Sequence, residues 1–193
     1  MAFIVVSFLL SNLAGMLSPV LLIFLAFYSL MKKISWLTHW YLGLCLGLAP
    51  VATELALFDR VTLPVVLVGL AVMFWTAGFD VLYSLQDREF DVKKGLHSAP
   101  SMLGHRAAIW LSRLSFCFMI VCLGLAGSEI GAGIWWQTGV ALVAAILVGE
   151  HWIIREAMHK GTSDKINLAF FNLNALVSVL FFALACADFY GRS

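Results

Sequence analysis

Asp80, Tyr83, Asp87 and Asp91 stand at spacings that can do chemistry, within the stretch FDVLYSLQDREFDVKKGLHSAP. It follows an unbroken apolar run and is the most acidic part of the chain. Read as one helix at about 100° per residue, the three aspartates fall within roughly 40° of one another. Tyr83 lies about 60° off that stripe, and Glu89 points to the opposite face. Asp87 and Asp91 are one turn apart, about 6 Å along the axis, so both carboxylates can reach one hard cation. Mg²⁺ takes oxygen ligands, keeps several waters and is commonly held by one or two carboxylates plus substrate phosphates. Asp80, two turns from Asp87, is too far to share that ion directly. It can act through water, serve a second ion or orient a neighbour. The competing reading is a solvated helix end balanced by nearby Lys and Arg. Asp80 argues against it, because an acid at the centre of a membrane costs roughly 2.5–3.5 kcal/mol and marks function by default.

The depth of Asp80 follows from the elements around it. The chain has 193 residues, of which 62% are hydrophobic and 12% charged, and its mean hydropathy is +0.96. A soluble domain of this size could not hide so much apolar surface. Several runs approach the roughly 18–20 apolar residues that cross a bilayer. Only helices and closed barrels satisfy their backbone in lipid, and the alternation of a barrel strand is absent. The expectation is all-α: an integral membrane helical bundle forming a single membrane domain over residues 1–193. About seven spans are expected, near 2–16, 18–31, 40–57, 63–86, 107–127, 131–154 and 167–188. Ser18-Pro19 is expected to separate the first two, which are short for full crossings. The fourth helix should start at Thr62 as N-cap, with Pro64 in its first turn, and run unbroken to Lys94, with Gly95 as C-cap. That is about 32 residues or roughly 48 Å, against a hydrocarbon core of about 30 Å. Asp80 then sits at the inner edge of the core, with Asp87 and Asp91 beyond it.

Charge fixes the expected orientation. One set of connections holds Lys32, Lys33, Arg88, Lys93, Lys94, Arg106, Arg113, Arg155, Lys160 and Lys165; the other holds Arg60 and Arg192. The positive-inside rule puts the Asp-containing loop in the cytoplasm. Net charge is +1, so composition carries no nucleic-acid signal. Cys45, Cys117, Cys122 and Cys186 lie in apolar runs without metal spacing and read as buried small residues. No signal peptide is evident. The first helix begins without anchoring charge or aromatic belt, so the chain reads as if an upstream part were missing. Glu54, about one turn from an outer helix end, reads as snorkelling or marking an interface.

With those residues in place, DVLYSLQDREFDVKKGLHSAP resembles the second aspartate-rich motif of the UbiA superfamily of membrane prenyltransferases. The match is closest to bacterial 4-hydroxybenzoate polyprenyltransferases. Their pattern D-x-x-Y-x-x-x-D-x-x-x-D, then G-L-x-S-x-P-x-x-x-G, is met by Asp80, Tyr83, Asp87, Asp91, Gly95, Leu96, Ser98, Pro100 and Gly104. Tyr28, Lys32, Trp36 and His39 fit a Y-[ST]-x-x-K-R segment and a W-x-x-H loop, with Lys33 in place of the usual Arg. LGLCLGLAPV resembles the next helix, and KINLAFFNLNALVS the last-helix signature, through Asn167, Phe170, Phe171 and Asn174. The resemblance departs at one point: the family fold has nine helices and a first motif, N-x-x-x-D-x-x-x-D, that this chain lacks. The chain resembles the C-terminal two-thirds of such an enzyme.

The resemblance implies Mg²⁺-dependent transfer of a polyprenyl group from polyprenyl diphosphate to an aromatic acid such as 4-hydroxybenzoate, in ubiquinone or menaquinone biosynthesis at the bacterial inner membrane. It implies Asp87 and Asp91 as metal ligands, Asp80 and Tyr83 as catalytic residues shaping that site, and Tyr28, Lys32, Asn167 and Asn174 as substrate-binding residues. The asparagines read equally as interhelical hydrogen bonds. The alternative is an inactive remnant, or half of a split enzyme needing a separate N-terminal half with the first motif. A CDP-alcohol phosphatidyltransferase would need D-G-x-x-A-R, and Asp80 is followed by Val81. A retinal protein would need a lysine within its last span, and a transporter would leave the motif unexplained.

Overall fold

The computed structural model describes the backbone of residues 2–160 and 163–192, and the side chains of residues 2–153 and 172–192. The elements are α1 (Ala2–Leu10), α2 (Asn12–Ile34), α3 (Thr38–Phe58), α4 (Leu63–Tyr83), α5 (Arg88–Lys94), α6 (Ala99–Glu129), α7 (Ile134–Lys160) and α8 (Ser163–Gly191). Among the described residues there is no strand. Among the described residues, five helices are long and apolar enough to cross a membrane: α2, α3, α4, α6 and the 172–191 part of α8. The all-α membrane architecture is as expected. Of the seven expected spans, two are not among the five: the one near 2–16, where α1 has only nine residues, and the one near 131–154, which is α7 and carries Gln137 and Glu150.

The first two expected spans are divided elsewhere. Pro19 does not break the chain; α2 runs through it. A proline leaves the carbonyl four residues back without its donor. Here Ser18 Oγ donates to that carbonyl, Gly15 O, at 2.8 Å, which removes the cost of an unpaired oxygen in lipid. The break falls at Ser11. Its backbone is extended and its hydroxyl accepts from Ala14 N at 3.3 Å, so it N-caps α2. The same hydroxyl donates to Asp59, which ends α3 in the left-handed conformation at φ 50°.

By internal packing the chain divides into two compact units, Met1–Cys122 and Leu123–Ser193. In the first, α3 and α4 approach at van der Waals distance through Gly43, Gly47 and Gly69. A Cβ at Gly43 would stand 2.2 Å from Met73 O, and one at Gly47 2.3 Å from Gly69 O. Lipid tails are as apolar as leucine, so close backbone approach through small residues supplies the packing energy. Tyr41 stacks on Phe24 at 4.6 Å and donates to Phe24 O at 2.7 Å, joining α3 to α2. Ser112 donates to Gly78 O at 2.8 Å, joining α6 to α4. Thr62 precedes α4, but its side chain does not cap it. Thr62 N and Oγ1 instead donate to the Glu54 carboxylate, each at 2.8 Å. Glu54 therefore closes the α3–α4 connection rather than snorkelling. Of the cysteines, Cys122 is buried, Cys45 and Cys186 are half-buried and Cys117 is exposed, against the expectation of burial for all.

In the second unit, α8 caps α7. Asp188 accepts from Gly133 N at 3.0 Å and from Trp136 N at 3.2 Å, filling donors that a helix N-terminus leaves open. Arg192 Nε lies 3.0 Å from the same carboxylate.

Gly47→Ala should lower stability in detergent by about 1–3 kcal/mol, because the methyl meets backbone rather than a movable side chain. Gly124→Ala, where nothing lies within 4 Å, should be neutral or stabilising by about 1 kcal/mol. Thermal unfolding of both variants checks the pair.

Candidate functional site

The helix expected to run unbroken from Thr62 to Lys94 ends at Tyr83. The cause is local. Ser84 Oγ donates to Val81 O at 2.8 Å, taking the carbonyl that Leu85 N would use in a continued helix. Leu85, Gln86 and Asp87 then donate to carbonyls three residues back, each at 3.2 Å. α5 starts after this tighter turn, so the common acidic stripe does not form. The aspartates occupy three environments: Asp80 is partly exposed at 27%, Asp87 is exposed and Asp91 is fully buried. Asp87 and Asp91 keep their one-turn spacing, with Asp91 N bonded to Asp87 O at 2.8 Å.

The residues after α5 form a stiff return. Gly95 is left-handed, at φ 65° and ψ 30°, and Leu96 N donates to Asp91 O at 2.8 Å, the expected glycine termination. Ser98 N bonds to Ser101 Oγ at 2.8 Å and Ser101 N to Ser98 Oγ at 3.4 Å, the reciprocal exchange of a capping box. Gly104 lies within α6 at φ 83° and ψ 169°, a backbone region open essentially to glycine, and kinks the helix. Arg88 Nε donates to Pro100 O at 3.1 Å, and His97 N donates to Lys32 O at 2.7 Å. α5 is thereby pinned to the start of α6, and the loop after it to the last turn of α2.

Asp80 does not join the other two aspartates. Its Oδ2 lies 2.7 Å from Nδ1 of His39, a ring only 2% exposed at the start of α3. His39 Nε2 is 3.2 Å from Ala99 N, the first amide of α6. A backbone amide can only donate, so Nε2 is the acceptor and carries no proton. The proton sits on Nδ1 and is donated to Asp80. Of the roles open to Asp80, this contact belongs with the third, orienting a neighbour. His39 has a role that spacing alone did not assign. The available signal was a histidine at the same end of its helix as Asp80.

Asp91 is the other buried anchor. Lys32 Nζ stands 2.8 Å from Asp91 Oδ1, with the lysine side chain 37% exposed and the aspartate 0%. The approach is an ion pair rather than an aligned hydrogen bond, so among the described residues neither Asp91 oxygen has an aligned hydrogen-bond partner. Gln86 Nε2 and His97 Nδ1 in the same segment are also buried without partners. Buried polar atoms are normally paired, and four orphans between residues 86 and 97 mark a surface completed by something polar. Tyr28 is within electrostatic reach of both Asp80 and Lys32, and Tyr83 is 46% exposed at the end of α4. Among the described residues, no three His, Cys, Asp or Glu side chains converge to hold a metal. Asp87 and Asp91 are a two-carboxylate set, which suits an ion that keeps waters and takes its other oxygens from phosphate.

In the second unit, Asn174 hydrogen-bonds Glu150, which is 1% exposed. That is the interhelical bond, one of its two expected readings. The side chain of Asn167 lies outside the described residues.

The sequence pattern of the UbiA prenyltransferase family matches residues 1–176. The chain belongs to this family. It is 28% identical to the 4-hydroxybenzoate octaprenyltransferase of Aliivibrio fischeri (strain MJ11), over 97% of this chain and 65% of that protein. It is also 28% identical to the protein of the same name from Alkalilimnicola ehrlichii, over 91% of this chain and 58% of that one. The chain thus spans less than two-thirds of these UbiA relatives. Among solved structures, the apo form of a UbiA homologue from Aeropyrum pernix K1 superposes with TM-score 0.81 and 27% identity, over 97% of this chain and 68% of that one. A digeranylgeranylglyceryl phosphate synthase shares the fold at TM-score 0.73 and 18% identity, over 94% of this chain and 64% of that one.

His39→Ala strands a carboxylate and a buried amide together and should cost about 3 kcal/mol or more. Asp80→Asn keeps an oxygen that accepts from Nδ1 and should cost about 1 kcal/mol. Denaturation of the two variants in detergent tests the order.

Proposed function

We propose that this chain carries the second-motif part of a membrane prenyltransferase, which moves a polyprenyl group from its diphosphate to an aromatic acid such as 4-hydroxybenzoate on the way to a quinone. The carrying observation is Asp91: a fully buried carboxylate whose oxygens lack hydrogen-bond donors, one turn from exposed Asp87 and in contact with Lys32. One lysine contact without further hydrogen bonds leaves such a group poorly compensated, and a second cation would complete it. Asp87 and Asp91 would hold Mg²⁺. Bound there, the ion would neutralise charge growing on the diphosphate as the allylic carbon–oxygen bond breaks.

The chain's own groups divide the remaining work. Lys32 supplies a flexible point charge at the level of the diphosphate. Tyr83 and Tyr28 border the site with polar tips on apolar rings. Asp80 acts through His39, as a positioning residue. Apolar helix walls exclude water and so protect an allylic cation from capture. The names of the relatives support the aromatic acceptor.

The first-motif pattern N-x-x-x-D-x-x-x-D does not occur in the 193 residues. The opposing carboxylates would therefore come from outside them, and a separate N-terminal half is one source. The one-sided basic residues support a cytoplasmic motif end at the bacterial inner membrane.

Prenyl transfer is measured in membranes with polyprenyl diphosphate, 4-hydroxybenzoate and Mg²⁺, with and without an N-terminal half bearing the first motif. The supplemented reaction should depend on Mg²⁺ and fall by about 10²-fold or more in the joint Asp87→Ala, Asp91→Ala variant. Activity that survives that variant would overturn the site.

A further inference from the structure

The ion pair between Lys32 and Asp91 has a geometry that a plain structural bridge does not need. Asp91 is fully buried, and among the described residues neither of its oxygens has an aligned hydrogen bond. Lys32 is more than a third exposed and reaches the carboxylate at 2.8 Å from the solvent side. A structural pair in a low-dielectric interior needs further hydrogen bonds to offset desolvation, and here none is present. The main chain of Lys32 is fixed, because its carbonyl accepts from His97 N at 2.7 Å. Its ammonium rides on a four-carbon stem with rotatable bonds, so it can leave while the backbone stays.

We propose that Lys32 is the resident counter-ion of Asp91, covering the carboxylate until a divalent cation with its diphosphate takes that place and the ammonium passes to a phosphate oxygen. This rests on the metal reading of Asp87 and Asp91 and deepens it. The exchange is balanced in charge: Asp91 trades one cation for another, and the displaced ammonium meets an anion that arrives with the metal. It also lets a buried carboxylate persist in the resting protein without a permanent partner. Gln86 Nε2 and His97 Nδ1, in the same 86–97 segment and buried without partners among the described residues, are further groups that an incoming oxyanion would satisfy.

The test uses the full chain in detergent, with thermal unfolding followed against Mg²⁺ alone and against inorganic pyrophosphate at saturating Mg²⁺. Lys32→Met removes the competitor and should lower the half-stabilising Mg²⁺ concentration by about tenfold, while raising that of pyrophosphate by a similar factor. Lys32→Gln, which still offers Asp91 a neutral donor, serves if the methionine variant does not fold, and should likewise lower the Mg²⁺ value and raise the pyrophosphate value. Opposite shifts support the exchange. An unchanged Mg²⁺ response with weaker pyrophosphate binding makes Lys32 a phosphate contact only and overturns it, as does a lower midpoint with neither affinity moved. Wild-type protein whose response to Mg²⁺ equals that of Asp91→Asn would instead remove the metal reading beneath it.

Discussion

The motif end of the first unit depends on one buried imidazole. His39 accepts from the first amide of α6 and donates to Asp80 on α4 while belonging itself to α3. In lipid an unpaired helix-terminal amide finds no water. Neutral imidazole can accept from that amide and donate to a carboxylate at once, with one nitrogen on each side of a rigid ring for each task. Three helix ends are thereby held together, and α5 hangs between two of them. The Arg88–Pro100 and Lys32–His97 bonds fix how it hangs.

This arrangement separates two kinds of aspartate that a sequence pattern treats alike. Asp80 is partly exposed and bonded through one oxygen to His39. Asp91 is buried with a movable lysine as its charged contact, and Asp87 beside it is open. A carboxylate already paired with a ring N–H makes a better anchor than a ligand for an incoming ion. The frustrated one is where binding energy is available. Rigid supports thus surround a segment in which several buried polar groups lack partners among the described residues.

Composition alone carried the all-helical membrane class, because apolar length leaves few folds that satisfy the backbone. The end of α5 at Gly95 was also legible, since a glycine after two lysines has a local geometric reason. The two misread boundaries share a cause. At Pro19 a helix survived because Ser18 replaced the missing donor, and at Ser84 a helix stopped because a serine took a carbonyl. Both turn on whether one hydroxyl bonds to the backbone, which periodicity does not report. Asp80 was legible as unusual but not as paired, because its partner lies 41 residues away in sequence. The Asp87–Asp91 spacing was readable; the burial that distinguishes the two was not, since it depends on the break after Tyr83.

The central claim is that Asp80 is committed to His39 and, through it, to the start of α6. The direct measurement is the ring nitrogen spectrum of ¹⁵N-labelled His39 in detergent-solubilised protein, with and without Asp80→Asn. The account predicts a neutral ring protonated at Nδ1, an unprotonated Nε2 showing a hydrogen bond, and a changed Nδ1 signal in the variant. A ring protonated at Nε2, or an Nδ1 signal indifferent to the loss of the carboxylate, would contradict it.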